Sequence, residues 1–184
     1  MDTFEEQLTV NDLDKIFGEL TPRIQKLVKK LVDSNSPFCK ENKLVKSKYD
    51  ITKVDELNRD ILTLLQYDMK RFRMDVSTHP FTETMGLNDI RITTRYEGTD
   101  FKKSIFSTIH EAGHALYNLQ CDQSLSFTPI EGGTSLGLHE SQSRFWENIV
   151  CRSLPFVQLI GPLIRKQVNF ANQTTNDELY LYFN

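Results

Sequence analysis

The sequence predicts a mainly α-helical protein with a short β-strand or hairpin placed ahead of one motif-bearing helix. Apolar residues recur at three- and four-residue steps through most of positions 11–72, which is the period of an amphipathic helix. Residues 89–96 instead alternate between polar and apolar side chains and are rich in β-branched residues, which is typical of a strand. The chain has 184 residues, 39% of them hydrophobic, so it is long enough to bury one core.

Two helices are expected in the first 73 residues. The first covers positions 11–32, where Pro22 would kink or restart it. The second begins at Thr52, whose hydroxyl forms a capping box with Asp55, and it continues to Phe72. The apolar stripes of both helices are interpreted as core packing.

Three more helices are expected after the strand, and they cover approximately 101–120, 138–154 and the residues from Pro155 onward. Thr99 or Asp100 can cap the first of these with its side chain. Phe145 and Trp146, within the second, are expected to be core residues.

Charge, hydropathy and cysteine count limit the expected partners. The formal charge of −3 argues against a nucleic-acid-binding surface, which would normally be basic. No segment approaches the roughly 18 consecutive apolar residues of a membrane helix, and the acidic N-terminus lacks the plan of a signal peptide. The cysteines form no Cys-x-x-Cys pair and indicate free thiols: Cys39, Cys121 and Cys151. A cytoplasmic protein without nucleic-acid or membrane partners is therefore expected.

The motif with the clearest chemical meaning is His-Glu-Ala-Gly-His at positions 110–114. Histidines four residues apart lie on the same face of a helix, so His110 and His114 can bind one metal ion from adjacent turns. Glu111 lies about 100° further round the helix, where its carboxylate can reach a metal-bound water without being a ligand. The spacing therefore predicts a metal site with a carboxylate beside it.

Catalytic zinc commonly takes three protein ligands and keeps a fourth position for water, so a third ligand is expected. The candidates are His139 and Glu140, at the start of the helix that follows the motif. Neighbouring residues on a helix point about 100° apart, so only one of the two is expected to face the metal. Composition and spacing leave both alternatives open.

Four motifs, in order along the chain, resemble those of the carboxypeptidase Taq family of zinc-dependent metallocarboxypeptidases. They are His-Pro-Phe at 79–81, Asp-Ile-Arg-Ile-Thr at 89–93, His-Glu-Ala-Gly-His-Ala-Leu-Tyr at 110–117, and the segment 133–148 that contains His-Glu-Ser-Gln-Ser-Arg. The dense similarity covers about 74–155, and a looser helical likeness covers 4–73.

This resemblance implies a helical, zincin-like metallopeptidase fold with a deep groove that removes single residues from peptide C-termini. Carried over residue by residue, it implies the zinc ligands His110, His114 and Glu140, with Glu111 as the general base. It thus selects Glu140 over His139. Zn²⁺ is the implied cofactor, with Co²⁺ as a second possibility. The implied partners are peptide C-termini and further copies of the chain in a homodimer or other homo-oligomer.

Four other motif residues have hypothetical roles. Arg91 is a candidate for the substrate's terminal carboxylate, which a guanidinium matches bidentately, the alternative being a salt bridge with Asp89 or Glu97. Asp89 is a candidate acceptor for the distal N–H of a ligand histidine. His79 can donate to the oxyanion or the bound carboxylate, or can be structural. Glu147 lies seven residues after Glu140, which is two helical turns, and so shares its face of the helix. From there it can support the metal ligands from behind.

The sequence also departs from the family pattern. Full-length members are more than twice as long, and Gln173 stands where an arginine is expected. We expect a single partial metallopeptidase domain with a helical portion at 1–73, the catalytic core at 74–155 and a truncated portion at 156–184. Metal binding, weak carboxypeptidase turnover and self-association are expected in consequence. The alternatives are a catalytically silent metal-binding remnant and an endopeptidase with an open groove.

Overall fold

Six α-helices and one three-stranded sheet make up most of residues 4–184, the part of the chain that this computed structural model describes. Their bounds are α1 Val10–Asp33, α2 Ile51–Leu64, β1 Phe72–Val76, β2 Thr82–Gly86, β3 Asp89–Thr94, α3 Lys102–Leu119, α4 Leu136–Arg144, α5 Leu154–Gln167 and α6 Asn176–Phe183. The predicted fold class, mainly α-helical with a small sheet ahead of the motif-bearing helix α3, is confirmed.

The sheet is the platform against which α3 packs. Its central strand is β3, which runs parallel to β1 and antiparallel to β2, with Thr82 opposite Ile92. Ile90 and Ile92 are buried in one apolar cluster with Ala112 and Ala115 of α3. The predicted strand is therefore present over 89–94, and with β2 it forms the antiparallel hairpin that was the other form of the prediction. The parallel strand β1 is one that the sequence pattern did not reveal.

A second apolar cluster packs on the other side of α3 and joins it to the remaining helices. The helix α3 contributes buried residues that include Ile105 and Ile109 to this cluster. The other helices contribute large buried side chains that include Leu57 and Ile61 of α2, Val157 and Ile160 of α5, and Tyr182 and Phe183 of α6. Because α3 is buried on two sides, its rotation about its own axis is fixed, and so is the direction of its histidines.

The second helix ends earlier than its apolar pattern predicted. α2 stops at Leu64, the chain turns through Gln66 with a positive φ of 63°, and Phe72 begins β1 instead of continuing the helix. A residue in the left-handed region ends a helix, and apolar periodicity does not detect it. The N-cap is Asp50, whose side chain accepts from the backbone N–H of Thr52 at 2.9 Å, so the predicted cap at Thr52 is wrong.

Neither Thr99 nor Asp100 caps α3 with its side chain. The N-cap position is Phe101, which makes no side-chain cap. The buried Asp100 carboxylate instead accepts a hydrogen bond from the Tyr182 hydroxyl at 2.8 Å, and the same hydroxyl oxygen accepts from the backbone N–H of Lys102 at 3.0 Å. The Tyr182 hydroxyl of α6 thus satisfies a backbone N–H at the start of α3. This long-range contact replaces the local cap that was expected from the sequence.

The helix α1 is continuous through Pro22, and none of its residues is buried. Core packing of its apolar stripe is therefore a wrong prediction, because residues 4–184 offer no surface that buries it. The exposed apolar side chains include Ile16, Phe17, Leu20, Ile24, Leu27, Val28 and Leu31. No helix in the described part of the chain has the length and hydropathy needed to span a lipid bilayer.

The helix expected over 138–154 is divided. After α4 the chain continues as a π-helical turn, Phe145–Val150, before α5 begins with Pro155 in its first turn as predicted. An i→i+5 turn shifts the phase of the following side chains. Phe145 is 48% exposed, which contradicts its predicted place in the core, whereas Trp146 packs partly buried against the second apolar cluster.

The helices α3 and α4 approach each other closely at Gly113. A Cβ atom at this position would lie 2.8 Å from the Cα of Ser143, 3.2 Å from the carbonyl oxygen of Gln142 and 3.3 Å from the ring of Trp146. Because the nearest atoms belong to the backbone of α4, no side-chain rotation can relieve the overlap. The missing side chain at Gly113 therefore sets the distance between the two helices.

Replacement of Gly113 tests this contact. Gly113→Ala should lower the free energy of unfolding, because overpacking costs about 1–3 kcal/mol and exceeds the gain of about 1 kcal/mol in helix propensity. Urea unfolding of the metal-free protein measures the difference. The matched control is Gly18→Ala in α1, where a Cβ atom would meet open space and should add about 0.5–1 kcal/mol. Equal stabilisation by both substitutions would show that the contact does not exist.

Candidate metal centre

His110, His114 and Glu140 bring three potential metal-binding atoms together. Nε2 of His114 lies 3.1 Å from Oε2 of Glu140, and Nε2 of His110 lies 3.7 Å from the same oxygen. One ligand atom from each of the three residues lies within 4.8 Å of the other two. Ligands at about 2.0–2.2 Å from one zinc ion stand roughly 3.4 Å apart in a tetrahedral site, so this spacing is close to that of a metal centre.

Helix geometry and the contact at Gly113 account for this convergence. His110 and His114 lie one turn apart on the same face of α3. Gly113, between them in sequence, touches the backbone of α4 at Ser143. Glu140 lies about one turn before Ser143 on α4, so the close approach of the two helices carries its carboxylate to the histidine pair.

His139 points elsewhere. Its ring stacks on that of His114, with centroids 4.5 Å apart and an interplanar angle of 18°. Its Nε2 lies 2.9 Å from Oδ1 of Asn118, and the Asn118 amide donates in turn to the hydroxyl of Thr84 at 2.7 Å. The structure thus directs Glu140 toward the histidine pair and His139 toward Asn118, the choice that spacing alone left open.

Glu147 determines the tautomer of His110. Oε2 of Glu147 lies 2.9 Å from Nδ1 of His110, and an ionised carboxylate can only accept, so Nδ1 carries the proton. In the neutral Nδ1–H tautomer of an imidazole, the Nε2 lone pair is available to a metal ion. A carboxylate behind a ligand histidine is the usual arrangement in metal sites. For His114, by contrast, Nδ1 is buried without a hydrogen-bond partner among the described residues.

The pKa shifts of the candidate ligands also favour metal binding. Burial, with repulsion from His139 and His110, lowers the pKa of His114 to about 4, so this imidazole is neutral at pH 7. Burial alone would raise the pKa of Glu140, but the hydrogen bond from Arg144 and the charges of the histidines hold it below its ordinary value. Neutral imidazoles and an ionised carboxylate bind metal ions, and this donor set suits zinc or cobalt. The residues present therefore fit the metal that the resemblance implies.

Glu111 is buried beside the histidines and is held by a strand of the sheet. Its Oε2 accepts a hydrogen bond from the Thr82 hydroxyl at 2.7 Å, and its backbone oxygen lies 3.0 Å from the same hydroxyl. Burial raises the pKa of this carboxyl, although the bond from Thr82 opposes the shift. Glu111 and His110 line one cavity of about 320 Å³, whose other lining residues are Lys103, Phe106, Ser107, Arg144 and Glu147. A buried carboxyl with a raised pKa that lines a cavity is suited to proton transfer.

Two residues of the site were not predicted from the sequence. Nε of Arg144 donates to Oε1 of Glu140 at 2.8 Å, and its Nη1 donates to Oε2 of Glu147 at 3.2 Å. Spacings of four and three residues are those of ion pairs on a helix, so the sequence did contain a signal for Arg144. Thr82 reaches Glu111 through the packing of the sheet on α3, and no local pattern marks this contact.

Three predicted residues do not contact the metal-binding atoms. Arg91 and Asp89 form a bidentate pair with each other, at 2.9 and 2.7 Å, so the alternative salt bridge is the one observed. The expected contact of Asp89 with a ligand histidine is absent, and Glu147 occupies that position on His110. His79 is exposed in the segment between β1 and β2.

Comparison with known sequences gives relatives over the whole chain. The model of the carboxypeptidase Taq (M32) metallopeptidase family matches residues 1–184. Thermostable carboxypeptidase 1 of Pyrococcus furiosus is 46% identical over 185 residues, which cover 100% of this chain and 37% of the relative. Carboxypeptidase 1 of Bacillus subtilis is 41% identical over 157 residues, which cover 85% of this chain and 31% of the relative.

Solved structures agree with these relatives. A structure of the Pyrococcus furiosus carboxypeptidase has a TM-score of 0.93 at 47% identity, covering 100% of this chain and 37% of its own. The carboxypeptidase of Deinococcus radiodurans has a TM-score of 0.89 at 32% identity, covering 97% and 36%. The chain thus spans less than two fifths of the length of these relatives. By sequence and by fold, it belongs to the carboxypeptidase Taq (M32) metallopeptidase family.

Proposed function

We propose that this chain carries the zinc-dependent hydrolytic centre of a metallocarboxypeptidase and that it releases single residues from peptide C-termini. The observation that carries the proposal is the convergence of His110, His114 and Glu140 beside the buried carboxyl of Glu111. The names of the relatives, which are carboxypeptidases, support the substrate class. Within the chain, the segment 74–155 supplies every residue to which we assign chemistry.

Each residue has a defined part in the proposed reaction. Bound zinc, or cobalt, would supply Lewis-acid chemistry, which polarises the scissile carbonyl and acidifies water. Glu111 accepts a proton from the attacking water and passes it to the nitrogen of the leaving amine as the C–N bond breaks. The Thr82 hydroxyl holds the Glu111 carboxyl in place, and Glu147 orients the His110 ring by accepting a hydrogen bond from its Nδ1.

A carboxypeptidase also needs a cation for the terminal carboxylate of its substrate. Lys103 lines the cavity beside Glu111. Arg91 and His79 remain proposed substrate-binding residues. To bind substrate, Arg91 would exchange Asp89 for the terminal carboxylate, which offers the same bidentate geometry.

The proposed assembly is a homodimer or other homo-oligomer that buries the exposed face of α1. Phe17 and Leu27 on this helix are each more than half exposed, and the removal of apolar surface from water favours association. The proposed compartment is the cytoplasm, which agrees with the free thiols of the three cysteines.

Charge on α1 should therefore prevent self-association. The double substitution Phe17→Glu and Leu27→Glu should shift the protein toward a monomer, as measured by light scattering after size exclusion. The control, Lys26→Glu on the same helix, should leave the oligomer intact. A wild-type protein that is monomeric at micromolar concentration would contradict this assembly.

Metal titration of ligand variants tests the proposed ligand set. His110→Ala, His114→Ala and Glu140→Ala should each weaken zinc binding by on the order of 100-fold or more, since loss of a supporting residue alone costs 10–100-fold. Calorimetric titration against a competing chelator measures the affinity. The control is His139→Ala, which should change the affinity by less than about threefold. A large loss in the His139 variant with none in the Glu140 variant would reverse the assignment.

Replacement of the Glu111 carboxyl by an amide tests its proposed role as the general base. Glu111→Gln should bind zinc as tightly as the wild type and lose about 10²–10⁴-fold in peptide hydrolysis, the usual contribution of general-base catalysis. Hydrolysis is followed by mass spectrometry of an unblocked peptide incubated with zinc-loaded protein. The control, Glu83→Gln on the exposed face of β2, should hydrolyse the peptide as fast as the wild type.

The products also separate the proposed function from its alternatives. Successive loss of single C-terminal residues supports a carboxypeptidase, while internal fragments would indicate an endopeptidase. Tight zinc binding without any product in the wild type would indicate a silent remnant.

A further inference from the structure

We propose that Arg144 is a positioning residue that makes Glu140 bind metal through one oxygen only. The inference rests on the proposed metal site and concerns how that site is held. Nε of Arg144 donates to Oε1 of Glu140 at 2.8 Å, whereas Oε2 is the oxygen near the two histidines. The two oxygens of the carboxylate therefore have different partners, and Oε1 is turned away from the metal position.

Arg144 also connects Glu140 to Glu147, the carboxylate that contacts His110. Its Nη1 donates to Oε2 of Glu147 at 3.2 Å, and that oxygen lies 2.9 Å from Nδ1 of His110. One guanidinium thus links Glu140 to His110 through Glu147. Arginine suits this role because its rigid fork can reach two carboxylates at once, whereas a lysine ammonium is a single point charge on a flexible stem.

The neighbouring serine holds the backbone end of the same ligand. The Ser143 hydroxyl lies 2.7 Å from the carbonyl oxygen of Glu140 and 3.2 Å from its Oε2. The single hydroxyl proton can be donated to only one of these two oxygens at a time, and the carbonyl oxygen is the nearer. Among residues 4–184, Arg144 is the side chain whose charged hydrogen bond fixes the Glu140 carboxylate.

The solvent exposure of the Arg144–Glu140 ion pair indicates that Arg144 affects metal binding and not folding stability. The side chains of Arg144 and Glu140 are 57% and 46% exposed, and ion pairs this exposed add little to folding stability. A glutamate so exposed has many rotamers unless it is held. Removal of Arg144 should therefore loosen the ligand without unfolding the protein, and the effect should appear in metal binding.

Two effects on metal affinity oppose each other. Loss of orientation weakens metal binding, by 10–100-fold when supporting residues of metal sites are removed. Loss of a positive charge near a cation strengthens it, but solvent screens this term at an exposed side chain. We therefore expect orientation to dominate, with a net loss of about tenfold.

Zinc titration of the full 184-residue chain tests the inference. Arg144→Gln should bind zinc about tenfold more weakly than the wild type. Arg144→Lys keeps the charge but cannot span both carboxylates, so its loss should be intermediate. The matched control is Arg95→Gln, which removes a 52% exposed arginine paired with Glu97 and should have no effect. The Tm of the metal-free variants should stay within about 2 °C of the wild type.

A second readout reports on coordination geometry. With Co²⁺ as the probe, the visible absorption of the Arg144→Gln protein should differ from that of the wild type, because Glu140 is free to bind through both oxygens. Zinc binding by Arg144→Gln that equals or exceeds wild-type affinity would overturn the inference, and so would wild-type affinity in Arg144→Lys. Failure of the proposed metal site itself would look different, since the wild-type protein would then bind no zinc.

Discussion

The contact between the backbones of α3 and α4 at Gly113 is the constraint on which the rest of the site depends. A helix supplies two histidines on one face by its own geometry, but a third ligand must come from another element. Glu140 reaches the histidines because α4 lies almost against the backbone of α3, with room for no more than a hydrogen at position 113. The sheet and the second apolar cluster bury α3 on two sides and thereby fix the direction in which its histidines point.

The charges around this contact form one connected arrangement. Two carboxylates of the α4 region, Glu140 and Glu147, face the histidines of α3, and Arg144 lies between them. Burial keeps His114 neutral at pH 7, and Glu147 accepts a hydrogen bond from Nδ1 of His110. Because His114 is already neutral, it need not lose an imidazolium proton before it binds a metal ion, although its Nε2 proton, which faces Oε2 of Glu140 at 3.1 Å, must move to Nδ1.

Local sequence patterns predicted those features that depend on neighbours along the chain. The spacing of His110 and His114 was sufficient for the shared face of α3, whereas the choice between His139 and Glu140 needed the family resemblance, because it depends on how α4 is rotated against α3. The end of α2 and the cap of α3 were mispredicted since a left-handed Gln66 and a hydroxyl 82 residues away decide them. Thr82 was missed for the same reason, as its contact with Glu111 exists only after the sheet has packed.

The most direct test of the central claim is a crystal structure of the zinc-loaded chain with diffraction recorded on both sides of the zinc absorption edge. We predict one anomalous peak at about 2.0–2.2 Å from Nε2 of His110, Nε2 of His114 and Oε2 of Glu140, with Oε1 of Glu140 still bound to Arg144. A peak coordinated by His139, or a zinc site away from the contact of α3 with α4, would contradict the account.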